Sequence, residues 1–365
     1  MNKNAKIYVA GHTGLVGSAI ISKLKTNGYT NIITRNFAEL DLRNQEQVSR
    51  FFEQKKPEYV FLAAAKVGGI LANNTYKAEF IYDNLMIATN IIHAAYTYNV
   101  KKLINLGSSC IYPKHAPQPI QEAHLLTGEL EPTNEPYAIA KIAAIKLCKY
   151  YNEQYHTNFI SVMPTNLYGP QDNFNLTSGH VLPALIRKFY LAKLLHENNF
   201  EQIMEDLNAR PLGTPGQTTT NGLPNTTNSN HEQIEQILNS LGITKNHVTL
   251  WGSGEPYREF LHVKDLADAL IFIINNYNYS DIGETINIGS GTDIQIKELA
   301  LLIKNITGFT GDIIWDKTNP DGTPRKLLDV SKIHALGWQH KTDLALGIKN
   351  VYQDYVRQNL IKKEK

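Results

Sequence analysis

An α/β fold is predicted, a Rossmann-like doubly wound parallel sheet with a smaller C-terminal α/β lobe that binds substrate. Three observations predict it. Short apolar runs alternate with helical patterns through the first 163 residues, the rhythm of a parallel sheet covered on both faces. A glycine-rich turn lies between the first run and the first helix. After Met163 the rhythm breaks into a stretch rich in Pro, Asn and Gly.

Element by element, Lys6 to Ala10 reads as a buried strand and Leu15 to Thr26 as the helix after the glycine turn. Strands are expected at Ile32 to Thr34, Tyr59 to Ala64, Lys102 to Leu106 and Phe159 to Met163. The third is apolar enough to be covered on both sides. Helices are expected at Gln45 to Glu53, Ala78 to Tyr98 and Pro136 to Tyr155. Pro164 to Ser178 reads as loop and Val181 to His196 as helix. Pro211 to Asn230 is a low-complexity Thr/Asn/Gly/Pro stretch, poor material for a core. It reads as the loop of a surface insertion flanked by helices near Phe200 to Asn208 and His231 to Leu241. Further on, Val248 to Trp251 and Thr285 to Ile288 look like strands. Asp265 to Asn275, Ile296 to Thr307 and the tail after Leu344 look helical. The expected domains are 1–166 with 259–290 returning to it, and a lobe of 167–258 and 291–365 that contains an insertion at about 198–248.

The chain has 365 residues, 42% hydrophobic and 19% charged, the balance of a globular protein with a substantial core. A formal net charge of +2 argues against a nucleic-acid surface. No apolar run is long enough for a bilayer span, and Met1 to Lys6 lack a signal peptide's apolar core. Two cysteines, Cys110 and Cys148, fit a reducing compartment, so a cytoplasmic location is expected. No Cys/His cluster has metal-ligand spacing.

Gly11-His12-Thr13-Gly14-Leu15-Val16-Gly17 spaces its glycines as G-x-x-G-x-x-G between a strand and a helix. Glycine permits the sharp turn, and the helix N-terminus favours the anionic pyrophosphate of a dinucleotide. An NAD-preferring fold offers an acid past the second strand; here Thr34-Arg35-Asn36 has none. Arg35 suits a 2′-phosphate, so NADP(H) is the expected cofactor, against the alternative of a plain strand-end arginine. Asp41 and Leu42 are candidates for the border of the adenine.

Tyr137 and Lys141, four apart in a helical stretch, share one helix face. An ammonium beside a phenol favours the phenolate, so the tyrosine is expected to work as acid or base near neutral pH. Ser108, Ser109 and Cys110 follow the fourth strand, at the carboxyl edge where such sheets build their sites. Cys148 lies in an apolar helical pattern and reads as core.

The trio Ser108, Tyr137 and Lys141, with the glycine spacing, resembles the extended short-chain dehydrogenases/reductases. Seven further stretches resemble the GDP-L-fucose synthase family: 63–70, 107–113, 131–137, 163–170, 251–254, 258–263 and 320–326. The resemblance implies an NADPH-dependent enzyme that epimerises C3 and C5 of GDP-4-keto-6-deoxy-D-mannose and reduces C4, giving GDP-L-fucose. It puts the epimerisation on Cys110 and His180 and the reduction on Tyr137, Lys141 and Ser108. It implies cofactor contacts at residues 11–17, Arg35, Asp41, Leu42, Ala63, Ala64, Leu106, Gly107, Ser108, Ser109, Tyr137, Lys141, Pro164, Thr165, Asn166, Leu167 and His180. Substrate contacts are implied at Lys188, on an exposed helix face, and at Trp251, Arg258 and Asp321. Extended dehydratases carry a catalytic Glu where this chain has Cys110, so loss of water is disfavoured. Thr13 and Phe37 replace basic residues common in the family, which leaves Arg35 to read the 2′-phosphate. A homodimer through the Tyr137 helix and the helix before it is implied as well.

Overall fold

The structure is a computed structural model that describes residues 1–212, 230–318 and 321–361. Most of the low-complexity loop, Pro320 and the last four residues lie outside the described residues. Two compact units are present. The first comprises Met1–Gln171, Glu259–Asp293 and Arg325–Thr342, and the second Asp172–Arg258, Ile294–Pro324 and Asp343–Lys365. Segment 325–342, which the sequence groups with the substrate-binding lobe, thus belongs with the first unit.

The first unit is built on six parallel strands in the spatial order Ile32–Ile33, Ile7–Ala10, Tyr59–Leu62, Lys102–Leu106, Phe159–Pro164, Thr285–Ile288. The chain leaves Ile7–Ala10 toward one edge, then returns to its other side at Tyr59–Leu62. That reversal is the topological switch point where such sheets open a crevice at their carboxyl ends. Side chains alternate across the pleat. Ile7 and Val9 join a core with Ile20, Leu24, Leu266 and Leu270 from the helices Leu15–Thr26 and Val263–Asn276. Tyr8 and Ala10 join the opposite core with Phe52, Ile91 and Ala144 from Gln45–Lys55, Lys77–Thr97 and Glu135–Tyr155. Burial on both faces explains why these strands read as unbroken apolar runs.

The expected loop 164–178 is not all loop. Asn166–Tyr168 is a short strand paired in parallel with Phe260–His262, and Asn166 Nδ2 donates to Glu259 O at 2.8 Å. Its Asn-rich composition hides pairing that only a distant segment supplies.

In the second unit, Val181–His196 packs against Phe200–Ala209 and Ile296–Thr307, and His247–Trp251 pairs in parallel with Asp312–Asp316. The two insertion helices, Phe200–Ala209 and His231–Ser240, are both capped by Asn side chains, Asn199 and Asn230. The first insertion helix is tied down by charge. Arg187 and Asp206 are fully buried and pair at 2.8 Å, while Tyr355, on the C-terminal helix Leu344–Ile361, donates its hydroxyl to Asp206 Oδ2. The flanks of the insertion are therefore integral to this unit.

Candidate active site

The glycine turn is shaped by close approach. Gly11 has φ +78°, and a Cβ there would stand 2.7 Å from Ala64 Cα and 2.8 Å from Ala63 O. A Cβ on Gly17 would stand 2.1 Å from Gly11 O. Only glycine fits either position. Gly14 caps the helix Leu15–Thr26 with no side-chain hydrogen bond, so the first amides stay available to an anion. His12, Thr13, Leu15 and Val16 complete this turn, with Ala63 and Ala64 at the neighbouring strand end. The cradle at the sheet's switch point fits a dinucleotide pyrophosphate.

Arg35 lies two residues past the second strand, Ile32–Ile33. Its Nη1 donates to Thr34 O at 2.7 Å, and its guanidinium lies 5.8 Å from the Phe51 ring centroid. Asp41 is engaged by Arg43, which also reaches Asp83 at 3.2 Å. That pairing holds the Asp41 carboxyl below its ordinary range, chiefly through the Arg43 hydrogen bond. Leu42 O accepts from Asn90 Nδ2 at 2.9 Å.

Four expected residues come together in the first unit. Ser108 stands at the end of Lys102–Leu106 and caps the short turn Ser109–Ile111, its Oγ accepting from Cys110 N at 3.2 Å. Gly107 admits no Cβ, which would lie 2.4 Å from Met163 Sδ. Ser109 is buried. The Ser108 side chain hydrogen-bonds both Cys110 and Tyr137. Lys141, buried, donates from Nζ to Leu106 O at 2.7 Å and sits 5.7 Å from the Tyr137 ring centroid.

The phenol does not behave as the Tyr-x-x-x-Lys spacing suggests. Burial pushes Tyr137 well above its ordinary pKa, the Cys110 sulfur pushes the same way, and the Ser108 hydrogen bond only partly opposes them. The Lys141 ammonium is directed at a carbonyl, and burial brings it down to about 8. In this state Tyr137 is a held proton donor.

The thiol of Cys110 shows the opposite balance. Burial would raise it. The Lys326 charge, with hydrogen bonds from Ser108, Lys326 and Asn134, outweighs burial and holds the thiol below its ordinary range. Lys326 Nζ donates to Cys110 Sγ at 3.3 Å. Sequence reasoning missed both Lys326 and Asn134, although both lie in the quoted stretches 131–137 and 320–326. Cys148 is a buried core residue whose thiol burial pushes up to about 12.

Pro164 ends the fifth strand and Thr165 follows it, both buried, and Thr165 Oγ1 donates to Glu259 O at 3.3 Å. Leu167 lies in the adjoining short strand.

The remaining expected residues lie in the second unit. His180 is exposed at the cap of Val181–His196, after a loop organised by the Asn175 side chain, which accepts from the amides of Thr177 and Ser178. A Cβ on Gly179 would stand 2.4 Å from Asn173 O, so this approach to His180 requires glycine. Lys188 is not on an exposed face. It is half-buried, donates to Leu241 O at 2.8 Å and Thr249 O at 3.1 Å, and burial lowers it to about 8. The insertion supplies one of these carbonyls, which explains why helical spacing alone misjudged the exposure. Asp321 accepts from Ser253 N at 2.9 Å and Ser253 Oγ at 2.6 Å, with the Arg258 charge also stabilising its carboxylate. Gly252, at φ +79°, leaves room for that carboxylate. Trp251 is 66% exposed, unusual for a tryptophan at a strand end.

Among the described residues no helix is long and apolar enough to cross a membrane. The chain is 50% identical over 364 residues to a putative GDP-L-fucose synthase 2 of Arabidopsis thaliana, covering all of this chain and 95% of that protein. A solved GDP-6-OMe-4-keto-L-xylo-heptose reductase from C. jejuni superposes with a TM-score of 0.90 at 43% identity, covering 98% of this chain and 99% of its own. An NADP-bound GDP-mannoheptose C4 reductase from Campylobacter jejuni superposes with a TM-score of 0.84, also at 43% identity, covering 97% and 99%. The sequence profile of the NAD dependent epimerase/dehydratase family matches residues 7–212 and 215–289. On this match, with the parallel sheet and glycine cradle beneath it, the chain belongs to the NAD dependent epimerase/dehydratase family.

Proposed function

We propose that the chain converts GDP-4-keto-6-deoxy-D-mannose to GDP-L-fucose by inverting C3 and C5 and then reducing C4. The carrying observation is the Cys110 thiol, held below its ordinary range by Lys326 beside the Ser108, Tyr137 and Lys141 trio. Full-length identity to proteins named GDP-L-fucose synthase supports the reading.

The C4 ketone acidifies the protons on C3 and C5. The Cys110 thiolate takes one of them, leaving an enolate, and His180 returns a proton to the opposite face of that carbon. When bound, NADPH supplies the hydride for C4. Tyr137 gives its proton to the C4 oxygen as that oxygen becomes a hydroxyl, and Ser108 hydrogen-bonds the same oxygen. Gly11 to Gly17 would hold the cofactor's pyrophosphate, and Arg35 its 2′-phosphate. Lys188, Trp251, Arg258 and Asp321 serve the GDP end of the substrate.

A second reading is a C4 reductase acting on a related GDP-sugar. The C. jejuni reductases at 43% identity favour it. Supplying GDP-4-keto-6-deoxy-D-mannose with NADPH and identifying the product by NMR decides between them. GDP-L-fucose, with solvent deuterium at C3 and C5, is the expected result. Reduction with both centres unchanged supports the second reading. Cys110→Ser separates the steps, since epimerisation collapses while reduction of an already inverted ketone persists.

The assembly we infer is a cytoplasmic homodimer formed through Lys77–Thr97 and Glu135–Tyr155. These helices pack on each other and leave Tyr82, Ile139, Tyr150 and Tyr155 exposed, apolar area that a second copy would cover.

A further inference from the structure

We propose that Glu259 is a positioning residue for the Cys110 thiolate, acting through the segment that carries Lys326. The inference rests on the reading of Cys110 as the epimerising base. Glu259 is fully buried, and both carboxylate oxygens accept hydrogen bonds. Oε2 accepts from Leu328 N at 3.0 Å, and Oε1 from Gly291 N at 2.8 Å and Ser290 Oγ at 3.4 Å. Gly289 leaves the space it fills, since a Cβ there would stand 2.2 Å from Oε1. Among the described residues no Lys or Arg pairs with this carboxylate. A buried acid held by amides and hydroxyls, with no cation, is an expensive way to join two segments, and an apolar side chain would serve a purely structural core at lower cost.

The Leu328 amide lies two residues beyond Lys326. The neighbouring Leu327 is fastened as well, its N donating to Gln118 Oε1 at 2.9 Å and its O accepting from Ile120 N at 2.7 Å. Two successive backbone positions just beyond Lys326 are thus held, and its Nζ ends 3.3 Å from Cys110 Sγ. A long, flexible ammonium keeps such a contact only where its anchor is fixed. The titratable groups that face the sulfur are Lys326 and the Tyr137 phenol, with Ser108 and Asn134 as uncharged partners. Releasing the Leu328 amide loosens the chain just beyond Lys326, while the Arg325–Lys326 strand keeps its neighbour Tyr257–His262 and the sulfur keeps its other partners.

The test is the pH dependence of Cys110 alkylation by iodoacetamide, read by peptide mass spectrometry on the substrate-free protein. Glu259→Gln replaces one acceptor oxygen with an NH2 group, so only one of the Leu328 and Gly291 amides keeps its partner and the two segments are no longer joined. It is expected to raise the alkylation midpoint by about 0.5–1 pH unit. Lys326→Met raises it in the same direction, and the double variant goes no further than Lys326→Met alone. Should Glu259→Gln lower the melting temperature while the midpoint stays at the wild-type value, Glu259 is structural only and the proposal fails. An unmoved midpoint in Lys326→Met overturns it too. If Glu259→Gln does not fold, Glu259→Asp, which keeps the charge and shortens its reach, is read in the same way. Alkylation needs no sugar. A wild-type protein that fails to epimerise therefore refutes the functional reading while leaving the Glu259 result standing.

Discussion

Lys326 Nζ approaches Cys110 Sγ to 3.3 Å across 216 positions of sequence. The contact favours the thiolate, so the sulfur is ionised at lower pH than an ordinary thiol allows. Lys326→Met is expected to slow deuterium exchange at C3 and C5, measured without NADPH, by roughly tenfold near neutral pH. The sign of the pH dependence follows. The deficit is largest on the acid side, where the lysine charge does most to keep the sulfur ionised, and it closes as pH rises past the pKa of the variant thiol. A deficit equal at every pH would mean that Lys326 serves the substrate and not the sulfur.

Lys141 is buried with its ammonium on the Leu106 carbonyl, and burial lowers it from 10.5 to about 8. Between those values the folded chain binds fewer protons at this site than the unfolded chain does. Stability from this group therefore rises as pH climbs from about 8 toward 10.5, and below that window the buried charge is a standing cost. Replacing it by Met should remove that rise. Urea midpoints for wild type and Lys141→Met, taken from pH 7 to 10, should converge as pH increases; parallel curves would place the lysine's titration elsewhere.

Much of this fold is legible in the chain, and the reasons are local. The helix Leu15–Thr26 and the strand Lys102–Leu106 fall where read, because a glycine turn and an apolar run bounded by polar residues are signals carried by neighbours in sequence. Ser108, Cys110, Tyr137 and Lys141 gather because each follows from its place on such an element. What escaped depends on distant partners. The strand Asn166–Tyr168 exists through Phe260–His262. Lys188 is half-buried because Leu241 and Thr249 cover its ammonium. The Tyr137 phenol is governed by burial, a quantity that spacing along a helix does not contain.

The proposed grip on the 2′-phosphate falls to Arg35, without basic residues at Thr13 and Phe37. Its guanidinium is steadied by Thr34 O and the Phe51 ring, which presents it without neutralising it. Arg35→Ala should raise the KM for NADPH by about 10- to 100-fold, the range for a lost hydrogen-bonded charge contact, and leave the KM for NADH nearly unchanged. Initial rates with both cofactors measure this. An equal rise for both would make Arg35 a support for the adenine pocket and leave the 2′-phosphate unread.

Asp206 brings the first insertion helix into the second unit's core. It is fully buried, paired with Arg187 at 2.8 Å and hydrogen-bonded by Tyr355, while Arg187 also donates to Phe174 O at 3.4 Å. Removing one partner strands a buried guanidinium, so Asp206→Ala should cost about 3–5 kcal/mol of stability. The Arg187–Asp206 pair is made between residues that both precede the low-complexity stretch 213–229. Excising those residues between the helices should leave the melting temperature and the turnover near wild type. The two variants together test whether the insertion divides into a structural flank and a dispensable loop. A shortened chain as unstable as Asp206→Ala would show that the division is wrong.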